Sequence, residues 1–341
     1  MSRPLRIGIL GTAKIARSFV KGVQPSERVA VTAIASRNPD KAKSFAAELG
    51  ISRHFGSYEA LLAERDIDAI YNPLPNGLHA EWSIAAARAG KHVLCEKPIA
   101  ANAAEARAMF DAARKHGVHI VEGYPYLAQP QTLKTRELIT DGAIGNLKLI
   151  QASFGFTLSD PSNIRLDPAL AGGALMDVGV YPVSLIRIVA RERPLRVLAT
   201  ARWTQGDGAA AAGVDSAMAA TLVFADGLFA QVTCSFDSAL HRQALIVGSA
   251  GLIQTTFSNH TSVERPGTLL LRAGNGPDAV DGKIETPPIN GFLAEAESFE
   301  ALVRNGPARW VGATPRESID VMMILEALLK SARSGASELV G

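Results

Sequence analysis

Cysteine is almost missing from this chain of 341 residues, which has only Cys95 and Cys234. Each lies in an apolar run, which suits a small buried hydrophobe in a reducing compartment better than a disulfide. No CxxC or HExxH spacing occurs, so no structural or catalytic metal is expected. The net charge is only +2, and no basic stripe interleaves with aromatics, which argues against a nucleic-acid partner. There is no run of 18 apolar residues, and the opening MSRPLRIGIL lacks the apolar stretch of a signal peptide. No membrane association is expected, and the expected location is cytoplasmic.

What is present is ordinary globular material, 47% hydrophobic and 20% charged. The chain is long enough that two domains are the default. Over the first 125 residues, short apolar runs alternate with helical patterns. RIGILG, VAVTAIAS, IDAIYNPL, HVLCE and HIVEGY read as strands, and KIARSFVKGV, residues 39–49, YEALLAE and HAEWSIAAARA as helices. Gly50, Gly90 and Gly117 sit where helices end, and Asn102 with Glu105 forms a capping-box pattern. This rhythm predicts a parallel sheet with right-handed crossovers. From about residue 145 the runs lengthen and partly alternate, as in LKLIQASFGFTL, LRVLATARWT, DSAMAATLVF, LFAQVTCSF and ALIVGSAG. FADGLFA marks a hairpin, so this half is expected to be an antiparallel sheet with one face open. Helices are predicted over 292–304 and 315–333, and the Ala/Gly run at 206–214 reads as a loop. The fold class is α/β. An N-terminal Rossmann parallel sheet (1–125) is followed by a C-terminal α+β domain (126–341) with a large, open, mainly antiparallel sheet.

Gly11-Thr12-Ala13-Lys14-Ile15-Ala16 lies between the first strand and the first helix. It fits GxGxxG if alanine replaces the second and third glycines. Gly11 permits the tight turn, Ala13 lets a pyrophosphate approach the backbone, and Ala16 lets the helix pack on the sheet. The helix N-terminus offers N–H groups and a favourable dipole to phosphates, although small residues are common at strand–helix turns. In NAD binders an acid at the end of the second strand takes the ribose 2′-hydroxyl. Here that strand ends in Ala35-Ser36-Arg37-Asn38, with Lys41 one turn on. A solvated turn would look the same, but no carboxylate is read there, and Arg37 could hold a 2′-phosphate through paired hydrogen bonds. NADP is the expected cofactor.

Glu96-Lys97-Pro98 ends the HVLCE strand at the sheet edge where ligands bind. Glu96 and Lys97 are expected beside the nicotinamide, with Pro98 fixing the turn; a plain strand terminus reaching water is the blander account. Lys97 could donate to a substrate oxygen and lower the pKa of a neighbouring acid. That acid is sought in GGALMDVGVYPV, where Asp177 and Tyr181 are four apart and would share one helical face. The same pattern also suits a core tyrosine and a solvated aspartate.

These segments together, from GTAKIA through NPLPNGLH and GKHVLCEKP to RLDPALAGGALMDVGVYP and SARSG, resemble the Gfo/Idh/MocA oxidoreductase family over essentially the whole chain. The nearest subgroup holds the NADP-dependent glucose–fructose and aldose–aldose oxidoreductases, xylose dehydrogenase and dihydrodiol dehydrogenase. The resemblance implies that Lys97 is the catalytic lysine, Tyr181 the general acid/base and Asp177 a substrate-orienting residue. It also implies that Asn76 and His79 line the cofactor and that Arg165 reaches it. Many relatives that oxidise inositol carry histidine in place of Tyr181, which argues against that branch. The second domain would bind the sugar and pair in a homodimer through its open sheet. Hydride transfer between NADP and the anomeric carbon of an aldose is the expected reaction. A redox-assisted glycosidase and a catalytically silent NADP sensor are the rivals.

Overall fold

Helices α1 (Lys14–Val23), α2 (Pro39–Leu49), α3 (Tyr58–Leu62), α4 (His79–Arg88), α5 (Ala103–His116), α6 (Pro130–Thr140), α7 (Val180–Ala190), α8 (Gly291–Asn305) and α9 (Pro315–Ser334) alternate with strands. The strands are β1 (Leu5–Leu10), β2 (Val29–Ala35), β3 (Arg53–Phe55), β4 (Ala69–Asn72), β5 (His92–Glu96), β6 (Ile120–Gly123), β7 (Leu147–Gly155), β8 (Arg196–Trp203), β9 (Asp215–Val223), β10 (Phe229–Ser235), β11 (His241–Gly248), β12 (Gly251–Thr255), β13 (Gly267–Ala273), β14 (Val280–Thr286) and β15 (Glu338–Leu339). The structure is a computed structural model and describes residues 3–205, 213–257 and 265–341. Residues 206–212 of the expected Ala/Gly loop lie outside the described residues. The chain forms two units, Met1–Gln129 with Ile289–Pro315 and Pro130–Pro288 with Arg316–Gly341.

The first unit contains a wholly parallel sheet in the order β3-β2-β1-β4-β5-β6. Every residue of β4 is buried, as in strands covered on both faces. Strand order reverses between β1 and β4, the place where open α/β sheets bind ligands outside the strand carboxyl ends. Asn38 and Asn102 cap α2 and α5 by accepting the N–H groups of Lys41 and Glu105, and Gly50 and Gly117 end those helices in the left-handed region. Three-residue β3 is too short for its sequence to show any period.

Residues 289–315 interrupt the expected C-terminal domain, because α8 belongs to the first unit. Phe292, Ala296, Phe299 and Leu302 of α8 join Phe19, Val20 and Tyr71 in one core. Phe19 stacks on Tyr71 at 3.9 Å and meets Phe292 edge-on at 5.9 Å. Gly22 leaves room for this contact, since a Cβ there would come within 2.7 Å of Asn290 Oδ1. Periodicity shows that such a segment is helical, but not which sheet it covers.

The second unit's sheet runs β14-β13-β12-β11-β7-β10-β9-β8-β15. β7 and β10 pair in parallel, and the other pairs are antiparallel. FADGLFA forms the β9–β10 hairpin, with Asp226 accepting the Leu228 N–H at 3.0 Å and Gly227 at φ +84°. Val197, Ala199, Ala230, Val232 and Cys234 are buried, while the alternate positions Leu198 and Phe229 are 51% and 48% exposed. β12, β13 and β14 are not evident in the sequence; β14 in particular is almost wholly exposed and lacks an apolar face. Pro168–Ala190 is long and apolar enough to cross a membrane, but 72% of its most apolar window is buried within the protein. It is a core helix, and Arg187 within it makes a buried ion pair with Asp320 of α9 at 2.7 Å. Cys95 and Cys234 are buried free thiols.

Candidate active site

In the first unit the turn after β1 requires glycine on two counts. Gly11 has φ +80°, and a Cβ would meet Leu74 Cδ2 at 2.9 Å. Ala13 is the N-cap of α1 and gives no side-chain cap, and the first turn of α1 holds no acid. Apart from the Ala16 N–H, which donates to the Ala13 carbonyl at 3.1 Å, no capping side chain or acid of the first turn competes for this helix end, which fits a pyrophosphate. The Ile15 side chain packs against the core, so what it can offer a phosphate is its backbone N–H.

Thr12, Asn38 and Lys41 meet in one cleft of about 440 Å³, which Arg17, Phe45 and Glu48 also line. Arg17 lies over the Phe45 ring at 4.6 Å and pairs with Glu48 at 2.9 Å. Asp40, in the first turn of α2, lines the same cleft. The strand end itself lacks an acid, but the region is not free of carboxylate as the sequence suggested. Ser36 is buried, and its Oγ accepts the Asn38 N–H at 3.2 Å. Arg37 is exposed and reaches the hydroxyl of buried Tyr58; burial raises the Tyr58 phenol and the Arg37 charge draws it back down. Tyr58 also edges onto Trp82 at 4.7 Å, so its ring links the phosphate turn to the end of β2.

Lys97 is half-buried at the carboxyl end of β5, and the Lys97–Pro98 peptide is cis. Its neighbours are tightly held. Tyr71 Oη donates to Glu96 Oε1 at 2.6 Å, and the Ile99 N–H donates to Glu122 Oε1 at 2.9 Å. His79 is fully buried, with its ring nitrogens 2.8 Å from the Pro98 carbonyl and 2.7 Å from that of Leu74. Burial, with help from the Lys97 charge, pushes its pKa down to about 4, so the ring is neutral and donates to one carbonyl at a time. His79 was expected to line the cofactor, but its ring has no surface to offer a ligand. It instead ties the Pro98 turn to the loop after β4. Asn76, in the short 3₁₀ turn Asn76–Leu78, is half-buried.

In the second unit two glycines shape the approach to α7. A Cβ on Gly172 would come within 2.4 Å of the Arg165 carbonyl oxygen, and one on Gly173, at φ +119°, within 2.3 Å of Asp215 Oδ1. Asp215, buried on β9, accepts the Leu175 N–H through Oδ2 at 2.7 Å. It thereby caps a π-helical turn, Leu175–Gly179, that runs into α7. Asp177 sits in that turn and Tyr181 in α7, so their shared face spans a π-helical to α-helical junction rather than one regular helix. Such junctions are frequent at functional sites. Arg165 Nε donates to Asp177 Oδ2 at 2.7 Å, uniting two residues twelve apart to which the resemblance assigns separate roles. Tyr181 is 6% exposed and lies tilted on Phe154, with 5.4 Å between ring centres. Among the described residues no cluster of three His, Cys, Asp or Glu could hold a metal ion.

Comparison with known proteins accounts for both halves. Residues 5–124 match the oxidoreductase family with an NAD-binding Rossmann fold, and residues 132–254 match the GFO/IDH/MocA C-terminal domain. The chain belongs to the Gfo/Idh/MocA family. Within it, a D-xylose 1-dehydrogenase (NADP⁺) of Haloferax volcanii is 38% identical over 98% of this chain and 99% of its own. A trans-1,2-dihydrobenzene-1,2-diol dehydrogenase of Danio rerio is 34% identical over 73% of this chain and 74% of its own. Among solved structures, the aldose–aldose oxidoreductase of Caulobacter crescentus superposes with a TM-score of 0.88 at 27% identity, covering 99% of this chain and all of that one.

For this Gfo/Idh/MocA chain, sequence reasoning missed three residues around the predicted ones: Tyr58, Asp215 and Glu295. Glu295, on α8, is buried with both carboxyl oxygens lacking a hydrogen-bond partner. Burial and then the charge of Glu96 raise its pKa well above the ordinary range, against the opposing pull of the Tyr124 backbone N–H. Glu295 could be read as helical, but nothing in its spacing signals proximity to a strand end almost 200 positions earlier.

Proposed function

We propose that this protein is an NADP-dependent sugar oxidoreductase that oxidises the anomeric carbinol of a cyclic aldose to the lactone. The first unit would hold NADP and the second the sugar. The phosphate turn at Gly11–Ala13 and the N-terminus of α1 would take the pyrophosphate. Ser36, Arg37, Asn38 and Lys41 would surround the 2′-phosphate, and Asn76, Glu96 and Arg165 would border the rest of the cofactor. Bound NADP supplies the hydride acceptor. Tyr181 takes the proton of the anomeric hydroxyl, Lys97 donates a hydrogen bond to that oxygen, and Asp177, held by Arg165, orients the sugar. Run in reverse, the same groups would let a second sugar be reduced.

The observation that carries this reading is the fixing of Lys97: Tyr71–Glu96, His79 and Glu122 clamp its turn on both sides. Groups preset in this way suit a site that must hold near-attack geometry. Full-length similarity to a D-xylose 1-dehydrogenase supports an aldose substrate. A 3-ketoreductase of Actinomadura kijaniata, solved with NADP and TDP-benzene, has also been solved with a lysine and with a tyrosine replaced. The two stand as far apart in that chain as Lys97 and Tyr181 do here. We further place the enzyme in the cytoplasm as a homodimer, paired through the open sheet face that exposes Leu198 and Phe229.

The test begins with heat denaturation and identification of released nucleotide, followed by a sugar panel monitored near 340 nm. An absorbance change that stops after one equivalent marks a resident cofactor and a second sugar as oxidant. Continuous NADPH formation marks an ordinary aldose dehydrogenase. Lys97→Ala and Tyr181→Phe should each cut turnover by orders of magnitude while NADP still binds; near-normal rates in either would remove the role assigned to it. Release of a chromogenic aglycone with no net NADPH would replace the proposal with a glycosidase.

A further inference from the structure

Arg242 has no role in the site described so far. It lies on β11 directly opposite Phe154 of β7, and the next residue on its face, Ala244, is buried. Its guanidinium carbon stands 4.7 Å from the centre of the Phe154 ring, which also packs against Tyr181 at 5.4 Å and edge-on against Phe257 at 6.0 Å. Arg242 is half-buried, and its Nε is fully buried with no hydrogen-bond partner. Among the described residues it forms no ion pair. A cation withdrawn from water without a carboxylate is costly, and an aromatic face offsets only part of that cost. Burial lowers the Arg242 pKa, and the charge of an ionised Tyr181 raises it, so the two groups interact electrostatically.

The other charged or titratable groups on elements packed against Tyr181 are committed elsewhere. Asp177 is paired with Arg165, and Arg187 with Asp320. Asp215 on β9 caps Leu175, and His241 on β11 turns Nδ1 to the Ala239 carbonyl. Burial holds the Cys234 thiol on β10 well above its ordinary range, so it is neutral. On β7 the contact with Tyr181 is the uncharged ring of Phe154. Lys148, six residues along β7 from Phe154, is exposed to solvent, so among these described groups Arg242 is the half-buried cation without a carboxylate partner.

We propose that Arg242 is a positioning residue for Tyr181, its guanidinium seated on Phe154 so as to favour the tyrosinate that accepts the substrate proton. This rests on the assignment of Tyr181 as proton acceptor made above. A free phenol, with a pKa of about 10, is only about a thousandth ionised at neutral pH, and each unit by which a nearby cation lowers it raises that fraction about tenfold.

Arg242→Met removes the charge and keeps an apolar stem on Phe154, and Arg242→Lys restores the charge. One readout needs no substrate: the tyrosinate absorbance near 295 nm of each protein minus that of its Tyr181→Phe counterpart, titrated with pH. Tyr181 should ionise about one pH unit higher in Arg242→Met, and the lysine variant should recover most of the difference. The other readout is kcat/KM for sugar oxidation. It should fall about tenfold at pH 7 in Arg242→Met, approach the parent value at high pH, and leave nucleotide affinity unchanged. Superimposable Tyr181 titrations in parent and Arg242→Met overturn the proposal, as does an activity loss of the same size at every pH. A shifted titration in a protein that oxidises no sugar upholds the Arg242–Tyr181 coupling and refutes the proposed reaction instead.

Discussion

Replacing Asp215 with asparagine should make the second unit more stable at neutral pH and leave it unchanged in acid relative to the parent. Asp215 is 1% exposed, and burial pushes its carboxyl from 3.8 up to about 6, against the opposing pull of the Leu175 N–H. The folded chain thus holds this proton more tightly than the unfolded chain does. The stability linked to it is complete below about pH 3.8 and is lost as the pH rises to about 6. A gap of about two units, at ~1.4 kcal/mol each, makes the loss about 3 kcal/mol at pH 7. Asparagine keeps an acceptor for the Leu175 N–H, occupies nearly the same volume and does not ionise. The difference in unfolding free energy between Asp215→Asn and the parent should therefore grow by about 3 kcal/mol from about pH 3 to about pH 7 and then level off. Groups that titrate alike in both proteins cancel in that difference. Trp203, paired with Asp215 across β8 and β9, is the natural reporter in a Trp82→Phe, Trp310→Phe background unfolded by urea. A difference that stays constant across this range would refute the reasoning, because the buried carboxyl would then not be titrating as described.

Gly173→Ala should lower stability by about 2–4 kcal/mol in thermal melts, since it strains a positive φ and drives a Cβ into Asp215. Arg187→Met, which leaves Asp320 with only the more distant Arg193 and Arg316, should cost about 3 kcal/mol in urea unfolding, and adding Asp320→Leu should recover much of it. Arg37→Ala should weaken NADP binding about 10- to 100-fold in fluorescence titration and leave NAD binding nearly unchanged; an equal loss for both would place the 2′-phosphate elsewhere.

The parallel half of the fold was legible because β1, β2, β4, β5 and β6 are short apolar runs separated by helices with conventional caps. Long-range allegiance was not. α8 has a clear helical period, but its choice of Phe19 and Tyr71 as neighbours is a property of the folded core. β13 and β14 carry too little buried surface to impose a period of two. At the candidate site, residue types were legible and their partners were not. His79 was visible as a histidine at a helix start, but only the interior shows that its ring faces two carbonyls. Asp177 and Tyr181 were visible as a four-residue spacing, whereas the π-helical turn that carries Asp177 is capped by Asp215, which lies far along the chain and enters where Gly173 has no Cβ.

The placement of α8 also sets an order of events during synthesis. All six parallel strands leave the ribosome before the helix that covers Phe19 and Tyr71 has been translated. Between β6 and α8 the chain emits nearly the whole of the second sheet. The nucleotide-binding unit is begun first, as N-terminal domains generally are, yet it cannot close until Asn305 has emerged. A nascent chain arrested before that point would carry every residue of the phosphate turn on an unfinished core.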